Sequence, residues 1–526
     1  MSLEREGWLP YDSYMIKKIF FLASLWAAIV CGLTSCQGVD DEIALQHAAA
    51  VRGQYRLGQL LFHPCTLVGE GSASNVQALC SSLEVAENPS GPEGGRRIRL
   101  KIGLLRPPEQ SEAEADPVFF IAGGPGQAAT AVAGIVNTAL GAVRRQRNII
   151  LVDQRGTGGS HALHCPLTER RFGDTDDANA ALEQVRAFAA ACADEIRDSA
   201  DVRFYTTTEA VSDLEAVRQA LSAEKINLIG VSYGTRVAQH YASLYPGHTR
   251  AVVLDSVVPN DLVVGGEFSE TFEQALILQS AVCQRDERCQ KRFPADLRQQ
   301  LRQVLERLSG QSLVVDYRDP GTGESRQGQL TSDTLVNMAF AFSYLPQTAA
   351  LLPLAVDEAA QQKYSSLMAI SELMNRQMQG QINRMMQWSV ICTEDADRYQ
   401  PSPASADTIL GSKVAELYFA PCGVWPGGRR PDGFSAPFLS GLPVLLLSGE
   451  FDPVTPPAYA HRVLQGLPNG RHLLVYGLGH GTLVAGCMPK LLGQFFETAD
   501  PREVESGCLR SIRVTPPFIS FNGWAP

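Results

Sequence analysis

The residues of this chain best suited to chemistry are a serine, an aspartate and a histidine that occur in that order, each after a predicted strand. Ser232 lies in the sequence Gly-Val-Ser-Tyr-Gly, which follows an apolar run and precedes a segment with helical spacing. A G-x-S-x-G turn between a strand and a helix exposes the serine hydroxyl at the tip of a sharp bend. The motif alone is weak evidence for a nucleophile, so the prediction rests on its position between a strand and a helix.

Two later residues could complete a catalytic triad with Ser232. Asp452 follows a strand predicted over 443–449, and His480 lies in a Gly-rich loop after a strand predicted over 471–476. In such a triad the histidine takes the serine proton and later gives it to the leaving group, while the aspartate orients the imidazole. Asp452 could instead cap a helix and His480 could be an ordinary loop residue. Three such residues in this order at three strand ends favour catalysis.

A serine nucleophile also needs hydrogen-bond donors for the oxyanion of its intermediate. The backbone N–H of Tyr233, the residue after the nucleophile, is predicted to be one donor. The second is predicted at Gly124, in the Gly-Gly-Pro-Gly loop that follows a strand predicted over 117–122. A phosphate-binding loop is the alternative, but no G-K-[ST] sequence follows the glycines as a P-loop requires.

Strands and helical segments alternate along much of the chain. Buried strands predicted over 148–153 and 226–231 flank a helical segment over 207–220. This alternation predicts an α/β fold with a mostly parallel sheet and helices on both faces. The long interval between Ser232 and Asp452 predicts an inserted, mainly helical cap. The predicted organisation is a leader over 1–36, a core over 37–261 and 438–526, and a cap over 262–437.

Five motifs together resemble the proline iminopeptidase and tripeptidyl aminopeptidase family of secreted α/β-hydrolases. The motifs are AGGPGQ, LVDQRGTGGS, GVSYGTRVA, GEFDPVTPP and GLGHG. The resemblance implies an α/β-hydrolase fold and a GGPG loop that forms part of the oxyanion hole. It also implies the removal of amino-terminal residues from peptides and acidic cap residues that bind the substrate's ammonium. Asp153 and Arg155, in the second motif, are interpreted as structural bracing.

The resemblance also singles out one carboxylate of the predicted cap. Related secreted hydrolases carry a C-x-E-D segment near the site, which makes Glu394 in Cys392-Thr393-Glu394-Asp395 the candidate for ammonium binding. A carboxylate in a partly desolvated pocket would select a free amino terminus by charge pairing. A solvated acidic loop, or a helix cap by Asp395, is the alternative interpretation.

The amino-terminal segment has the features of an export signal. Basic residues after Met15 precede an apolar stretch over 19–32, which is too short for a stable membrane span. The following Leu-Thr-Ser-Cys sequence ends at Cys36 and resembles the lipobox of bacterial lipoproteins, and Gln37 after it favours an outer-membrane anchor facing the periplasm. An ordinary cleaved signal is the alternative. Residues 1–14 precede a better start and are interpreted as a misassigned start or an added segment.

Cysteine usage agrees with export. Two of the twelve cysteines lie in the leader, and the even number that remains suits disulfides in an oxidising compartment. Connectivity does not follow from sequence, so the simplest hypothesis pairs neighbours along the chain. These pairs are Cys65 with Cys80, Cys165 with Cys192, Cys283 with Cys289, Cys392 with Cys422, and Cys487 with Cys508. No C-x-x-C or H-x-x-x-H spacing occurs, so neither a metal nor a cofactor is predicted.

Composition and charge narrow the functional classes. The 526 residues carry a net charge of −11, which argues against nucleic acid as a partner. We predict an exported serine aminopeptidase that acts on peptides with a free amino terminus. A carboxylester hydrolase is the alternative, because acyl transfer to serine serves both reactions. A non-catalytic binding protein of the same fold is a third interpretation, and it would be expected to lack a triad residue.

Overall fold

The computed structural model describes residues 53–69, 75–108, 113–167, 178–378 and 380–522. Its strands are β1 Tyr55–Leu57, β2 Leu60–Val68, β3 Asn75–Ala86, β4 Arg97–Leu105, β5 Val118–Ile121, β6 Ile149–Val152, β7 Ile226–Val231, β8 Thr249–Asp255, β9 Leu313–Arg318, β10 Ser325–Leu330, β11 Val444–Gly449 and β12 Gly470–Val475. In the described residues, ten strands form one sheet in the order β1-β2-β3-β4-β6-β5-β7-β8-β11-β12. The other two, β9 and β10, pair with each other.

The sheet has a parallel part and an antiparallel extension. Strands β6, β5, β7, β8, β11 and β12 pair in parallel, and β1 to β4 are joined to them by antiparallel pairs. Every residue of β5 and β6 is buried, as expected for parallel strands with helices on both faces. The predicted α/β-hydrolase fold is confirmed, whereas the antiparallel extension is an addition that sequence patterns did not reveal.

Helices cover both faces of the sheet and fill the long insertion. They are α1 Ala133–Ala139, α2 Ala178–Ile196, α3 Thr207–Ala220, α4 Tyr233–Leu244, α5 Phe268–Arg285, α6 Glu287–Arg292, α7 Leu297–Leu308, α8 Ser332–Ser343, α9 Pro346–Ala349, α10 Leu352–Ala360, α11 Ser365–Met378, α12 Arg384–Glu394, α13 Lys413–Phe419, α14 Pro457–Leu464 and α15 Met488–Thr498. Successive strand residues pack into opposite layers. Phe119 and Leu228 belong to one apolar cluster, and Phe120 and Ile229 belong to the other.

The insertion between β8 and β11 contains two kinds of helix. Helices α5, α7, α8 and α10 enclose an apolar core of their own, which includes Phe272 and Phe342. Helix α12 differs, because Trp388 and Ile391 on it pack into the apolar cluster that covers the sheet. Residues from Gly53 onward fall in one compact unit. Helix α12 is therefore a part of the insertion that packs against the sheet and not into the insertion's own apolar core.

Two buried residues brace the loop after β6. Arg155 is fully buried and makes two hydrogen bonds of 2.7 Å to the carboxylate of Asp213 on α3. Asp153 accepts hydrogen bonds from the backbone and side chain of Thr130 and from the backbone N–H of Gly159. Both residues have their polar atoms occupied by neighbouring loops and helices, which is a structural role.

Five disulfides tie the described chain together. They join Cys65 to Cys80, Cys165 to Cys192, Cys283 to Cys289, Cys392 to Cys422, and Cys487 to Cys508. Such a disulfide set indicates a protein exported to an oxidising compartment. Among the described residues no helix has the length and apolar character of a membrane span. Cys36 and the predicted leader over 1–36 lie outside the described residues.

Candidate active site

Ser232 occupies the bend between β7 and α4. Its φ of 56° and ψ of −126° lie outside the helical region, as in the strained turn that presents a nucleophile. Its backbone N–H donates to the carbonyl of Asp255 over 2.9 Å. A Cβ at Gly234 would lie 2.4 Å from the carbonyl oxygen of Ile121. Glycine is therefore required there, because the first turn of α4 packs against the end of β5.

Asp452 and His480 come together at the ends of β11 and β12. The Nδ1 of His480 lies 3.0 and 2.9 Å from the two carboxylate oxygens of Asp452. Asp452 is itself held by the backbone N–H groups of Val454 and Thr455, at 3.0 and 2.8 Å. A carboxylate in this position accepts a hydrogen bond from Nδ1–H and leaves Nε2 as the base that can serve a nucleophile.

Thr455 is a part of this arrangement that the sequence patterns did not reveal. Its hydroxyl donates to Asp452 over 2.8 Å and lies 3.2 Å from Nδ1 of His480. A threonine three residues after an aspartate at a strand end could have been recognised as the partner of a side-chain-capped turn. Thr455 restricts the carboxylate to the orientation in which it contacts the imidazole.

The end of β8 links the loop of His480 to the bend of Ser232. Thr482, two residues after His480, donates its N–H to the carboxylate of Asp255 over 2.7 Å, and the carbonyl of Asp255 accepts from Ser232. The N–H of Gly481 donates to the hydroxyl of Ser256 over 2.9 Å. No hydrogen bond joins the Ser232 hydroxyl to His480 in the described part of the chain. Such bonds commonly tighten only when substrate binds.

The charges around His480 favour its protonated form. Burial lowers the pKa of His480, but the charge and hydrogen bond of Asp452 and the charge of Asp255 raise it above 6.5 overall. Burial raises the pKa of Asp452, yet the charge and hydrogen bond of His480 and two backbone donors bring it below its usual value. Burial raises the pKa of Asp255 to about 6. The imidazolium formed during acyl transfer is thus stabilised by Asp452.

These shifts predict a pH dependence for catalysis. A protonated imidazole cannot accept the serine proton, so kcat/KM should fall as pH decreases through the pKa of His480, which lies above 6.5. The measurement is a pH–rate profile with a neutral acyl ester, because a substrate amine would titrate at about 7.7–8.0 itself. An acidic limb at or below 6.5 would contradict this account of His480.

Two backbone segments approach the bend where an oxyanion would form. Helix α4 begins at Tyr233, which places its N–H at the helix start beside Ser232. In the Gly-rich loop, Gly123 lies close to Ser232, since a Cβ there would lie 3.0 Å from the Cβ of Ser232. The loop predicted to hold the second donor therefore lies against Ser232. Donation by Tyr233 and Gly124 to an oxyanion stays a prediction.

Glu394 lies at the end of α12, fully buried beside the helix that follows the nucleophile. Its carboxylate accepts from the N–H and hydroxyl of Thr207 at 2.7 and 2.9 Å, and it lies 3.6 Å from Arg236. The Thr207 hydroxyl also lies 2.7 Å from the hydroxyl of Tyr233. Burial raises the pKa of Glu394 to about 7, although Arg236 opposes this. Glu394 is thus connected to the bend through Thr207 and Tyr233, without contacting Ser232.

The insertion between β8 and β11 contacts His480 directly. The N–H of His480 donates to the carbonyl of Tyr344, just after α8, over 2.8 Å. The two rings also meet edge to face, with centroids 5.3 Å apart. Among the described residues no group of three acidic, histidine or cysteine side chains is arranged to hold a metal ion.

Comparisons with known proteins identify the family of this chain. The family model for the alpha/beta hydrolase fold matches residues 116–485, so the chain belongs to the alpha/beta hydrolase family. It is 24% identical over 470 residues to the serine protease Hip1 of Mycobacterium tuberculosis, covering 84% of this chain and 88% of that protein. It is 29% identical over 181 residues to the tripeptidyl aminopeptidase of Streptomyces lividans, covering 31% and 32%.

Further similarities cover most of the chain at low identity. The putative hydrolase YuaR of Escherichia coli is 24% identical over 413 residues, covering 74% of this chain and 78% of that one. The crystal structure of a proline iminopeptidase from Mycobacterium smegmatis is 18% identical, covers 80% of this chain and 99% of that chain, and has a TM-score of 0.39. The family and the sequence relatives define this protein as a hydrolase of the α/β fold with peptidases among its relatives.

Proposed function

We propose that this protein is a serine aminopeptidase that releases amino-terminal residues from peptides. The observation that carries the proposal is the Asp452–His480 pair, 2.9 Å apart, linked through the end of β8 to the strained bend of Ser232. Relatives named serine protease and tripeptidyl aminopeptidase support a peptide substrate. Incubation with free-amino peptides and their N-acetylated counterparts, with products identified by mass spectrometry, tests the proposal. We expect amino-terminal residues to be released from the free-amino peptides and not from the N-acetylated ones.

The proposed reaction passes through an acyl-enzyme. Ser232 Oγ attacks the peptide carbonyl while Nε2 of His480 takes the hydroxyl proton, and the N–H groups of Tyr233 and Gly124 stabilise the oxyanion. The carbon–nitrogen bond breaks, and His480 gives the proton to the departing amine. Water then attacks the ester with His480 as base, which releases the carboxylic acid and restores Ser232. Asp452 keeps its charge throughout and stabilises the imidazolium.

We propose Glu394 as the carboxylate that recognises the substrate's ammonium. It lies beside α4, the helix that begins directly after Ser232, and its pKa of about 7 reflects a buried charge that Arg236 compensates only in part. A cation close to it would favour the ionised form. In the present conformation Thr207 occupies both oxygens, so an ammonium would have to replace the hydroxyl of Thr207 as a partner.

Replacement of Glu394 by glutamine tests this role. We expect kcat/KM for free-amino substrates to fall about 10–100-fold, as when a charge-assisted hydrogen bond is lost, with little change for N-acetylated or ester substrates. Asp397→Asn is the matched control, since Asp397 is an exposed acid nearby that pairs with Arg430. An equal loss for free-amino and blocked substrates would assign Glu394 a purely structural part.

A carboxylester hydrolase is the second candidate. The observation that favours it is the occupied state of Glu394, whose oxygens both accept from Thr207, because an esterase needs no carboxylate for an ammonium. Hydrolysis of short acyl esters without cleavage of any free-amino peptide would support this alternative.

We further propose that the protein resides at the periplasmic face of the outer membrane, anchored through lipid on Cys36. The leader and the lipobox-like sequence that ends at Cys36 support this placement. The mass of the amino-terminal peptide of the mature protein tests it, since lipidation would leave a modified Cys36 as the first residue.

A further inference from the structure

We propose that a row of aromatic side chains in the cap binds the side chain of the residue that follows the cleaved bond. The row, here called the aromatic cleft, consists of Tyr344, Phe340, Phe268 and Tyr418. The inference rests on the proposed peptidase function and adds a substrate class to it, peptides with a bulky apolar residue on the leaving side.

The aromatic cleft begins at the catalytic histidine and extends into the cap. From His480 the ring of Tyr344 is 5.3 Å away, and Phe340 lies 5.4 Å beyond Tyr344. Phe268 follows at 6.0 Å from Phe340, and Tyr418 at 5.7 Å from Phe268. Tilted and edge-to-face contacts at these separations are the favoured geometry of aromatic pairs. The row is therefore continuous from the site of proton transfer.

Exposure distinguishes these rings from the core behind them. Tyr344, Phe340, Phe268 and Tyr418 are all partly exposed. Phe272, which meets Phe340 edge to face at 5.4 Å, is fully buried. Aromatic side chains that stay partly exposed beside an apolar core are typical of the lining of ligand-binding sites. Part of the surface of these four side chains therefore remains exposed in the folded protein.

The cleft carries little charge of its own. Phe340 and Phe268 carry no charge, and the hydroxyls of Tyr344 and Tyr418 are neutral at physiological pH because a tyrosine titrates at about 10. Glu267, which precedes Phe268, is exposed and accepts a hydrogen bond from Tyr459. A carboxylate beside Phe268 would disfavour acidic side chains. The matching ligand is therefore an uncharged aromatic or branched aliphatic group.

The position of Tyr344 assigns the cleft to the leaving side of the substrate. Because Asp452 holds Nδ1 of His480, Nε2 is the atom that gives its proton to the departing nitrogen. The ring of Tyr344 meets that same imidazole edge to face, and its carbonyl accepts from the backbone N–H of His480. The residue that carries the departing nitrogen must begin beside His480, which puts its side chain within reach of Tyr344. The acyl part lies instead towards Ser232 and the loop of Gly123.

The test is a series of peptide amides that share one amino-terminal residue and carry Gly, Ala, Leu or Phe after the cleaved bond. For the parent protein we expect kcat/KM to be at least about tenfold higher with Phe than with Gly, the range of an apolar pocket. In Phe340→Ala and Phe268→Ala this ratio should approach one. Leu373→Ala, at a 40% exposed residue of α11 outside the cleft, should keep the parent ratio. An unchanged rate of fluorophosphonate labelling shows that each variant retains a folded site.

The outcomes separate this inference from the proposed function. Peptide cleavage with a Phe-to-Gly ratio that neither variant changes would overturn the inference and leave the peptidase assignment intact. A change confined to selectivity for the residue before the cleaved bond would also overturn it, because the cleft would then serve the acyl side. If only esters are cleaved, the peptidase proposal fails. In that case the kcat/KM values for a benzyl ester and a methyl ester are compared. A benzyl-to-methyl ratio that falls in both variants supports the inference, and an unchanged ratio overturns it.

Discussion

Replacement of Ser232 by alanine is expected to lower kcat for any substrate of this protein by about 10⁴–10⁶-fold. The loss is this large because the variant cannot form the acyl-enzyme, and only the oxyanion donors and substrate binding remain. The measurement is steady-state hydrolysis by the purified variant, with thermal unfolding as a check on folding. Ser325→Ala, at an exposed serine of β10, is the matched control and should be fully active. A Ser232→Ala protein with more than a few per cent of parent activity would exclude Ser232 as the nucleophile.

Replacement of Asp452 by asparagine should lower kcat by about 10⁴-fold. The amide of asparagine is neutral and can present its NH2 group to Nδ1, so the histidine loses its useful tautomer and the stabilisation of its charged form. The substitution alters the contacts of 3.0 and 2.9 Å between Nδ1 of His480 and the two carboxylate oxygens of Asp452. The measurement is kcat together with the labelling rate of Ser232, and both should fall.

The control for this change is Asp432→Asn, because Asp432 is an exposed aspartate outside the proposed triad. It should leave both rates unchanged. A loss of less than about tenfold in Asp452→Asn would mean that another acid orients His480. Asp255, whose charge also acts on His480, would then be the residue to examine.

The central part of the fold could be predicted because its signals are local. The run over 226–231 is apolar apart from Asn227, and the structure forms β7 over the same residues. The helical spacing over 207–220 likewise corresponds to α3. Strands β5, β6, β11 and β12 agree with their predicted ranges within a residue at either end. Buried parallel strands and amphipathic helices carry their pattern in a few adjacent residues, so no distant partner is needed to recognise them.

The antiparallel extension could not be predicted in the same way. Strand β3 mixes buried, half-buried and exposed residues along its length, since its exposure depends on β2 and β4 on either side. The surroundings of Glu394 are also set by distant residues. Thr207 precedes it by 187 positions and Arg236 by 158, and no spacing in the sequence indicates that these side chains meet.

Several residues of the site could not be predicted because their roles follow from contacts between loops. The role of Thr455 follows from a turn that closes on Asp452, and that of Asp255 from a loop that returns from β12. The contact between Tyr344 and His480 joins the cap to the core. Residue types and strand ends could suggest a nucleophile, a base and an acid, whereas the residues that orient them became visible only in three dimensions.

The most direct test of the account is to react the mature protein with a fluorophosphonate probe and locate the adduct by peptide mass mapping. The account predicts one adduct, on the hydroxyl of Ser232, formed much faster in the parent than in Asp452→Asn and blocked by a peptide substrate with a free amino terminus. An adduct on another residue, or no adduct from a protein that still hydrolyses substrate, would contradict a mechanism in which His480 and Asp452 activate Ser232.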